Sequence, residues 1–365
     1  MEHDLKNEHK TKVIVLPAHH GDSIIIKTFD SQKKPFNILI DGGTAKTYDE
    51  VLRKEVRKIP FIDIVILTHI DSDHIAGLIK LIKSEHFDPK SIGKYWFNSK
   101  NIKFISSGEN ISVAQAKTFE ELLIDKGEVT NKWVNEVVVG TIPQLPDGVE
   151  IEIISPSSEI LEELYKKWPS LSDEYNKKLE DLSISAVAPS QISRGSLPDL
   201  AKEDDTPEKK IMTDISNSSS IAFIFKTFDM SVLFLGDAHP HFIVETLKSK
   251  GYSKNNRLSV DYVKVSHHGS KNNTTNELLD LLDCDNYIIS TNGGNSDHTH
   301  PDRETIARII HHPYRVEKCY PNLRKIYLNH KEEKIRMKAG EFVNDEDRAL
   351  GNWQMIENIN VFENE

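Results

Sequence analysis

The stretch ILTHIDSDHIAG, residues 66–77, sets two histidines and two aspartates within six consecutive positions, His69 to His74. An apolar run, FIDIVIL at 61–67, leads into it, and Ile75, Leu78, Ile79 and Ile82 lead out at helical spacing. The run in is short, β-branched and apolar throughout, as expected of a strand covered on both faces. The run out predicts a helix beginning near His74. Four ligand-type side chains therefore stand at a strand-to-helix corner. Carboxylates and imidazoles crowded into one buried corner repel or stay unsatisfied unless a cation joins them. The corner reads as a metal site.

Working outward, KVIVLP (12–17), SIIIKTF (23–29) and FNILIDGG (36–43) predict three strands, bounded by Gly, Pro and Asp. Residues 45–59 and 112–126 predict amphipathic helices, and VEIEIISP (149–156) another strand. Strand patterns return at SSIAFIFKTF (219–228), SVLFLGDA (231–238) and VDYVKVSHH (260–268). They are followed by a helix at 274–283, a strand at YIISTN, a helix at 302–311 and a final strand pair near KIYLN and KIRMK. Between them, 158–214 begins as a helical pattern broken by Pro169 and continues rich in Ser, Pro and charge. Such a composition buries little apolar surface. It predicts an insertion, mobile over about 183–213 or clamped onto a partner, within a single domain spanning 1–365.

Four of the strands end abruptly in ligand-type residues: ILIDGG in Asp41, VILTHIDSDH in His69, Asp71, Asp73 and His74, VLFLGDA in Asp237, and YVKVSHHGS in His267 and His268. Strand ends aligned at one edge of a sheet hold side chains rigidly enough to build such a site. In the H-x-D-x-D-H run, His69 and Asp71 could serve one ion and Asp73 and His74 a second, with Asp237 as a carboxylate bridge. Two ions roughly 3.5–4 Å apart is the usual spacing of a two-metal hydrolase. Either His267 or His268 completes the set. Asp71, where a zinc enzyme more often carries histidine, makes the site harder and more anionic. That favours Mn²⁺, with Mg²⁺ also admitted, while Zn²⁺ still accepts the carboxylate.

These motifs, in this order, resemble the metallo-β-lactamase superfamily. More narrowly, HHGDSIII (19–26), ILIDGG, LTHIDSDHIAGL, LFLGDA, VSHHGS and HTHPDRETI (298–306) resemble the hydrolase domain attached to ComEC/Rec2-type competence DNA-uptake channels. The resemblance covers roughly 12–312. It implies an α/β fold, a four-layer αββα sandwich of two mixed β-sheets. It departs at Ser266, where the family carries Pro, and at His20, where it often carries Gln. The superfamily's third-motif histidine has no counterpart, His86 being the lone histidine between 75 and 236. Asn217 in SNSSSIAF stands at that point instead and is implied as a substrate contact. His300 is implied to touch the scissile group or protonate the leaving oxygen. Asp41 would orient a ligand imidazole from behind, and Asp22 with Ser23 would shape the neighbouring turn.

The implied activity is metal-dependent hydrolysis, most simply of phosphodiesters in DNA, by a hydroxide held between two divalent ions with Asp73 at the centre of the chemistry. The competing classes are a small-molecule hydrolase (of a lactone, thioester or phosphocholine ester) and a regulated subunit of a larger complex. The formal net charge of −11 argues against a free-standing nucleic-acid binder, since phosphate neutralisation supplies most of such affinity. The basic clusters RKEVRK (53–58) and KEEKIRMK (331–338) read as solvated faces. A nucleic-acid substrate is therefore expected with help from a protein partner held by the insertion. No window is apolar enough to span a bilayer, so no membrane partner is expected. Two cysteines, Cys284 and Cys319, form no framework, which fits a reducing cytoplasm.

Overall fold

The computed structural model describes residues 9–98, 119, 121–125, 132–166, 195–204, 214–294 and 299–364. The first half of the chain supplies strands β1 (Lys12–Val15), β2 (Ile24–Phe29), β3 (Pro35–Ile40), β4 (Ile62–Ile66), β5 (Ile92–Trp96) and β6 (Trp133–Val134). The second half supplies β7 (Glu150–Ser155), β8 (Ala222–Lys226), β9 (Ser231–Phe234), β10 (Leu258–Ser259), β11 (Tyr262–Lys264) and β12 (Leu282–Asp283). After these come β13 (Asn286–Ile289), β14 (Arg324–Leu328), β15 (Trp353–Ile356) and β16 (Val361–Phe362). Two seven-stranded sheets result, ordered β16-β1-β2-β3-β4-β5-β6 and β15-β14-β13-β11-β9-β8-β7, with β10 and β12 as a separate parallel pair. Both sheets are mixed. In the first, β1 to β3 run antiparallel and β3 to β6 parallel; in the second, β9, β11, β13, β14 and β15 are parallel.

Alternation along the strands explains the layering. Phe36, Ile38 and Ile40 of β3 enter a core shared with Phe223, Phe225 and Ile288 of the other sheet, while Leu39 between them faces Leu52, Ile75 and Leu78 of the helices outside. Because both faces of β3 are covered, its sequence shows almost no polar positions. The outer face of the second sheet packs on Ile243 and Leu247 of helix Pro240–Ser249 and on Ile306 and Ile310 of helix Arg303–His311. The order is helices, sheet, sheet, helices, the expected αββα sandwich.

Helix Ser72–Lys83 starts two residues earlier than its apolar pattern suggests, with Asp71 at the cap position. It packs on the Asp41-Gly42-Gly43 turn with almost no clearance. Gly42 N–H donates to the His74 carbonyl at 2.7 Å, and Gly77 N–H donates to the Gly43 carbonyl at 2.9 Å. A Cβ on Gly77 would lie 1.9 Å from the Gly42 carbonyl oxygen, and one on Gly42 would lie 2.3 Å from Leu78 N. The glycines of both motifs thus let the helix bring His74 against Asp41. Gly77→Ala should cost about 3 kcal/mol, at the upper end of overpacking penalties because backbone meets backbone. A urea-unfolding midpoint unchanged from wild type would contradict this.

The structure departs from the sequence reading in three places. KIRMK lies in helix Glu332–Ala339, with Ile335 and Ala339 buried one turn apart, and the last strands are β15 and β16 instead. Strands β5 and β6 and helix Pro240–Ser249 join the fold unannounced. Of the insertion, 195–204 is folded rather than mobile: Leu197, Leu200 and Ala201 are buried in the second outer core against helix Arg303–His311. Three apolar residues around a Ser196-capped turn suffice to anchor it, although the surrounding composition is polar. The expected helix at 112–126 is described only at 119 and 121–125, where it is helical; its remainder, like 167–194 and 205–213, lies outside the described residues.

Candidate metal centre

The C-terminal ends of the parallel strands meet at one edge. Asp41 follows β3, the His69–His74 corner follows β4, Asp237 follows β9, and His267 and His268 follow β11. The two sheets are joined there, as Ile221 N–H donates to the Thr68 carbonyl at 2.9 Å. Asp41, His267 and His268 hold left-handed φ values of 55°, 47° and 56°. Such strain at non-glycine residues persists where the surroundings over-determine it, commonly at functional sites.

Asp237 Oδ2 sits among four imidazoles, 3.6 Å from His74 Nε2, 3.6 Å from His268 Nε2, 3.8 Å from His267 Nε2 and 4.0 Å from His69 Nε2. His268 Nε2 lies 3.5 Å from Asp73 Oδ2, His74 Nε2 3.9 Å from the same oxygen, and His69 Nε2 3.8 Å from Asp71 Oδ2. These separations are too long for hydrogen bonds. They suit donor atoms sharing ions, which stand roughly 3–4 Å apart when each ligand bond is about 2.0–2.3 Å. His69, His74 and Asp237 form one compact group and Asp73, His74 and His268 another. The buried atoms His69 Nε2, His74 Nε2, His268 Nε2 and Asp237 Oδ1 have no hydrogen-bond partner within the protein. Orphaned polar atoms converging on one point fit a cation. Of the two adjacent histidines, His268 stands in the group with Asp73.

Each imidazole is turned from behind. His74 Nδ1–H donates to Asp41 Oδ2 at 2.8 Å, leaving Nε2 with its lone pair toward the cluster. Thr68 donates to Asp41 from its amide at 2.8 Å and its hydroxyl at 2.7 Å, and the same hydroxyl oxygen lies 3.1 Å from His69 Nδ1. With its proton given to Asp41, Thr68 Oγ1 accepts from His69, so one carboxylate sets two rings. His268 Nδ1–H donates to the Ser290 carbonyl at 2.9 Å, and His267 Nδ1–H to Asn273 Oδ1 at 3.2 Å. Asp22, behind His268, pairs with the buried Lys264 at 2.5 Å. Asp71 accepts from Ser216 Oγ at 2.6 Å, and the neighbouring Asn217 is buried with Oδ1 unpartnered. His300 stands at the rim, its ring 5.4 Å from that of His267 and its Nδ1 3.5 Å from Asp302 Oδ2.

Thr68, Lys264 and Asn273 escaped the sequence reading. Lys264 had a signal: a lysine inside the apolar strand YVKV must be paired if both faces are covered. His311 and His312 meet Tyr320 Oη at 2.8 Å and the Asn276 carbonyl at 3.2 Å, away from the cluster.

The crowding sets the charge states. Burial pushes the His74 imidazole down, but Asp237, Asp41 and Asp73 outweigh it and hold its pKa well above the ordinary range. His268, buried against Asp237 and Asp22, is likewise raised. Burial and His74 push His69 down to about 4, and burial and Asp73 push Asp71 up to about 6. A divalent ion must therefore compete with protons at His74, and in the same direction at His268, but not at His69. Raised pKa values mean that these protons are bound most firmly at low pH, so metal affinity should climb as pH rises. Roughly one to two protons should be released on loading at pH 7. Titration calorimetry in buffers of different ionisation enthalpy reads this directly; an enthalpy independent of buffer would contradict it.

Residues 32–148 match the family model of the metallo-beta-lactamase superfamily. The matched segment carries Asp41 and the His69–His74 corner, and the αββα sandwich around it is the fold that this similarity implies. The chain is also similar to ComE operon protein 3 of Bacillus subtilis (strain 168), with 23% identity over 322 residues, covering 84% of this chain. The chain spans 31% of that relative's length. Among solved structures it is similar to a metallo hydrolase, Igni18, of the archaeon Ignicoccus hospitalis (12% identity, 98% of this chain and 99% of that one, TM-score 0.39). It is also similar to a long form RNase Z from yeast (12% identity, 98% of this chain and 42% of that one, TM-score 0.38). No helix among the described residues is long and apolar enough to cross a membrane.

Proposed function

We propose that the chain is a metal-dependent phosphodiesterase whose substrate is DNA, using two divalent ions. The observation that carries this reading is the composition of the cluster: Asp71, Asp73 and Asp237 among His69, His74 and His268. A donor set this rich in carboxylate suits hard ions, and hard ions bind phosphate oxygens. Mn²⁺ or Mg²⁺ is the preferred occupant, with Zn²⁺ the alternative. When bound, such ions activate water at neutral pH and neutralise charge on the oxygens of an in-line displacement.

The chain's own residues divide the remaining work. His69, Asp71 and Asp237 would hold one ion and Asp73, His74, Asp237 and His268 the other. Asp41, through Thr68 and His74, fixes the tautomers that make ligation feasible. Asn217 would contact a non-bridging phosphate oxygen. His300, backed by Asp302, would deliver a proton to the leaving oxygen. The Ser- and Pro-rich insertion is the place for a protein partner that brings substrate to an acidic chain.

Protein reconstituted with Mn²⁺, Mg²⁺ or Zn²⁺ should be offered single- and double-stranded DNA, RNA, bis-nitrophenyl phosphate, a lactone and a thioester. Cleavage of DNA and of the model diester is expected. Turnover of the lactone or thioester with every diester left intact would replace this reading by that of a small-molecule hydrolase.

A further inference from the structure

The basic cluster KEEKIRMK is helical, and this changes what it can do. Helix Glu332–Ala339 follows β14, whose parallel C-terminal end lies at the same edge as the metal centre. Lys334 and Lys338 fall one turn apart on one face, both exposed, and neither has a carboxylate at ion-pair distance among the described residues. Like charges at this spacing repel. The helix is seated on the loop that leads to His300: Lys338 Nζ donates to the Gly294 carbonyl at 3.0 Å. A Cβ on Gly293 would lie 2.6 Å from the Ile335 carbonyl oxygen and 2.9 Å from Lys338 Cβ.

Lys334 Nζ lies 3.4 Å from Nδ1 of His330, a residue only 6% exposed. An ammonium can only donate, so Nδ1 accepts and the ring hydrogen sits on Nε2. That Nε2–H is buried and has no acceptor within the protein. Burial first, then Lys334, His19 and Lys338, push the imidazole down to about 3. Lys46 adds to the same field at Lys338, and Glu50 is engaged by His19 and Lys46. The corner adjoins the cluster: Asn329, next to His330, donates to Ser290 Oγ at 3.0 Å, and the Ser290 carbonyl accepts from His268 Nδ1 at 2.9 Å. In a chain of net charge −11, positive charge is concentrated beside the acids that would hold metal.

We propose that Lys334 and Lys338, beside His330, form a phosphate-binding corner that grips the backbone phosphate next to the scissile one in a polynucleotide strand. The inference rests on the phosphodiesterase reading and deepens it, because it makes a strand, rather than an isolated diester, the preferred substrate. Lysines with no carboxylate partner among the described residues, on a helix fixed to the Gly293–Gly294 turn, supply counter-charge beside the site. That is the term that dominates affinity for a phosphate backbone.

The test compares Mn²⁺-loaded wild type with Lys334→Gln/Lys338→Gln on a labelled single-stranded octanucleotide and on bis-nitrophenyl phosphate. Lys54→Gln/Lys58→Gln, at the opposite edge, controls for net charge. Binding of the octanucleotide, read by fluorescence anisotropy across a salt series, should weaken roughly tenfold in the first variant. The slope of log affinity against log salt should become shallower by about 0.7, the share of one single-strand phosphate. The penalty on octanucleotide cleavage, carried in KM, should exceed any penalty on the small diester by about tenfold. Equal octanucleotide affinity and salt slope in wild type and variant, or an equal loss in the Lys54/Lys58 control, would overturn the corner. Failure of wild type to cleave either diester would instead overturn the phosphodiesterase reading, while the anisotropy series still decides whether the corner binds phosphate.

Discussion

Asp73→Ala and His74→Ala should each abolish hydrolysis, with losses well beyond the roughly 10–100-fold that removing a partner behind a metal ligand costs. The expectation follows from position. Asp73 Oδ2 is 3.5 Å from His268 Nε2, and His74 Nε2 is 3.6 Å from Asp237 Oδ2, so each removes a donor from the centre of the cluster. Neither change leaves the remaining charges balanced. Without Asp73, His268 and His74 lose a carboxylate that holds their protons; without His74, Asp41 and Asp237 are left facing each other's charge in a buried site. Folding is therefore checked alongside, by circular dichroism and thermal melting. Asp73→Asn, which keeps the shape and one oxygen donor, serves as the milder variant. Full activity in Asp73→Ala would remove Asp73 from the site altogether.

His300→Ala should slow phosphodiester cleavage by roughly 10²–10⁴-fold while leaving metal content intact, the usual range for loss of a positioned proton donor. The residue lies outside both ligand groups yet within reach of His267, and Asp302 backs its Nδ1 at 3.5 Å. Asp302 is itself fixed, accepting from the Lys271 amide at 2.8 Å. Burial, opposed by Asp302, lowers the imidazole's pKa below the ordinary histidine value. A proton donor of lowered pKa is depleted as pH rises, so the share of rate that depends on His300 should fall on the acid side of neutrality, below the ordinary histidine range. The alanine variant should lack that limb. A substrate bearing a nitrophenolate leaving group, which needs little protonation, should lose far less than one with an alkoxide. Equal losses on both would assign His300 to binding alone.

The site was more legible than its frame. Every strand ending in a ligand-type residue was visible because apolar β-branched runs stop at Asp or His, and such runs, buried on both faces, leave no competing pattern. Local sequence could not choose between His267 and His268, because both stand in left-handed backbone and only distant partners distinguish them, Asn273 behind His267 and the Ser290 carbonyl behind His268. Lys264 was readable in principle and overlooked in practice. KIRMK misled because alternation over five residues mimics a strand, whereas Ile335 and Ala339 pack at a helical period visible only once the preceding glutamates join the helix. Strand β5, IGKYW, carries a glycine and a lysine in its second and third positions and owes its place to pairing with β4 rather than to its own pattern. The anchoring of 195–204 rests on three side chains meeting a distant helix, a contact that composition does not encode.

Elemental analysis of protein reconstituted with Mn²⁺ or Zn²⁺ tests the central claim most directly, with Asp73→Ala measured beside wild type. About two divalent ions per wild-type chain are expected, as for other two-metal sites, and a clear loss in the variant. No retained ion in wild type, or a content that Asp73→Ala leaves unchanged, would contradict the assignment of this strand edge as a metal centre.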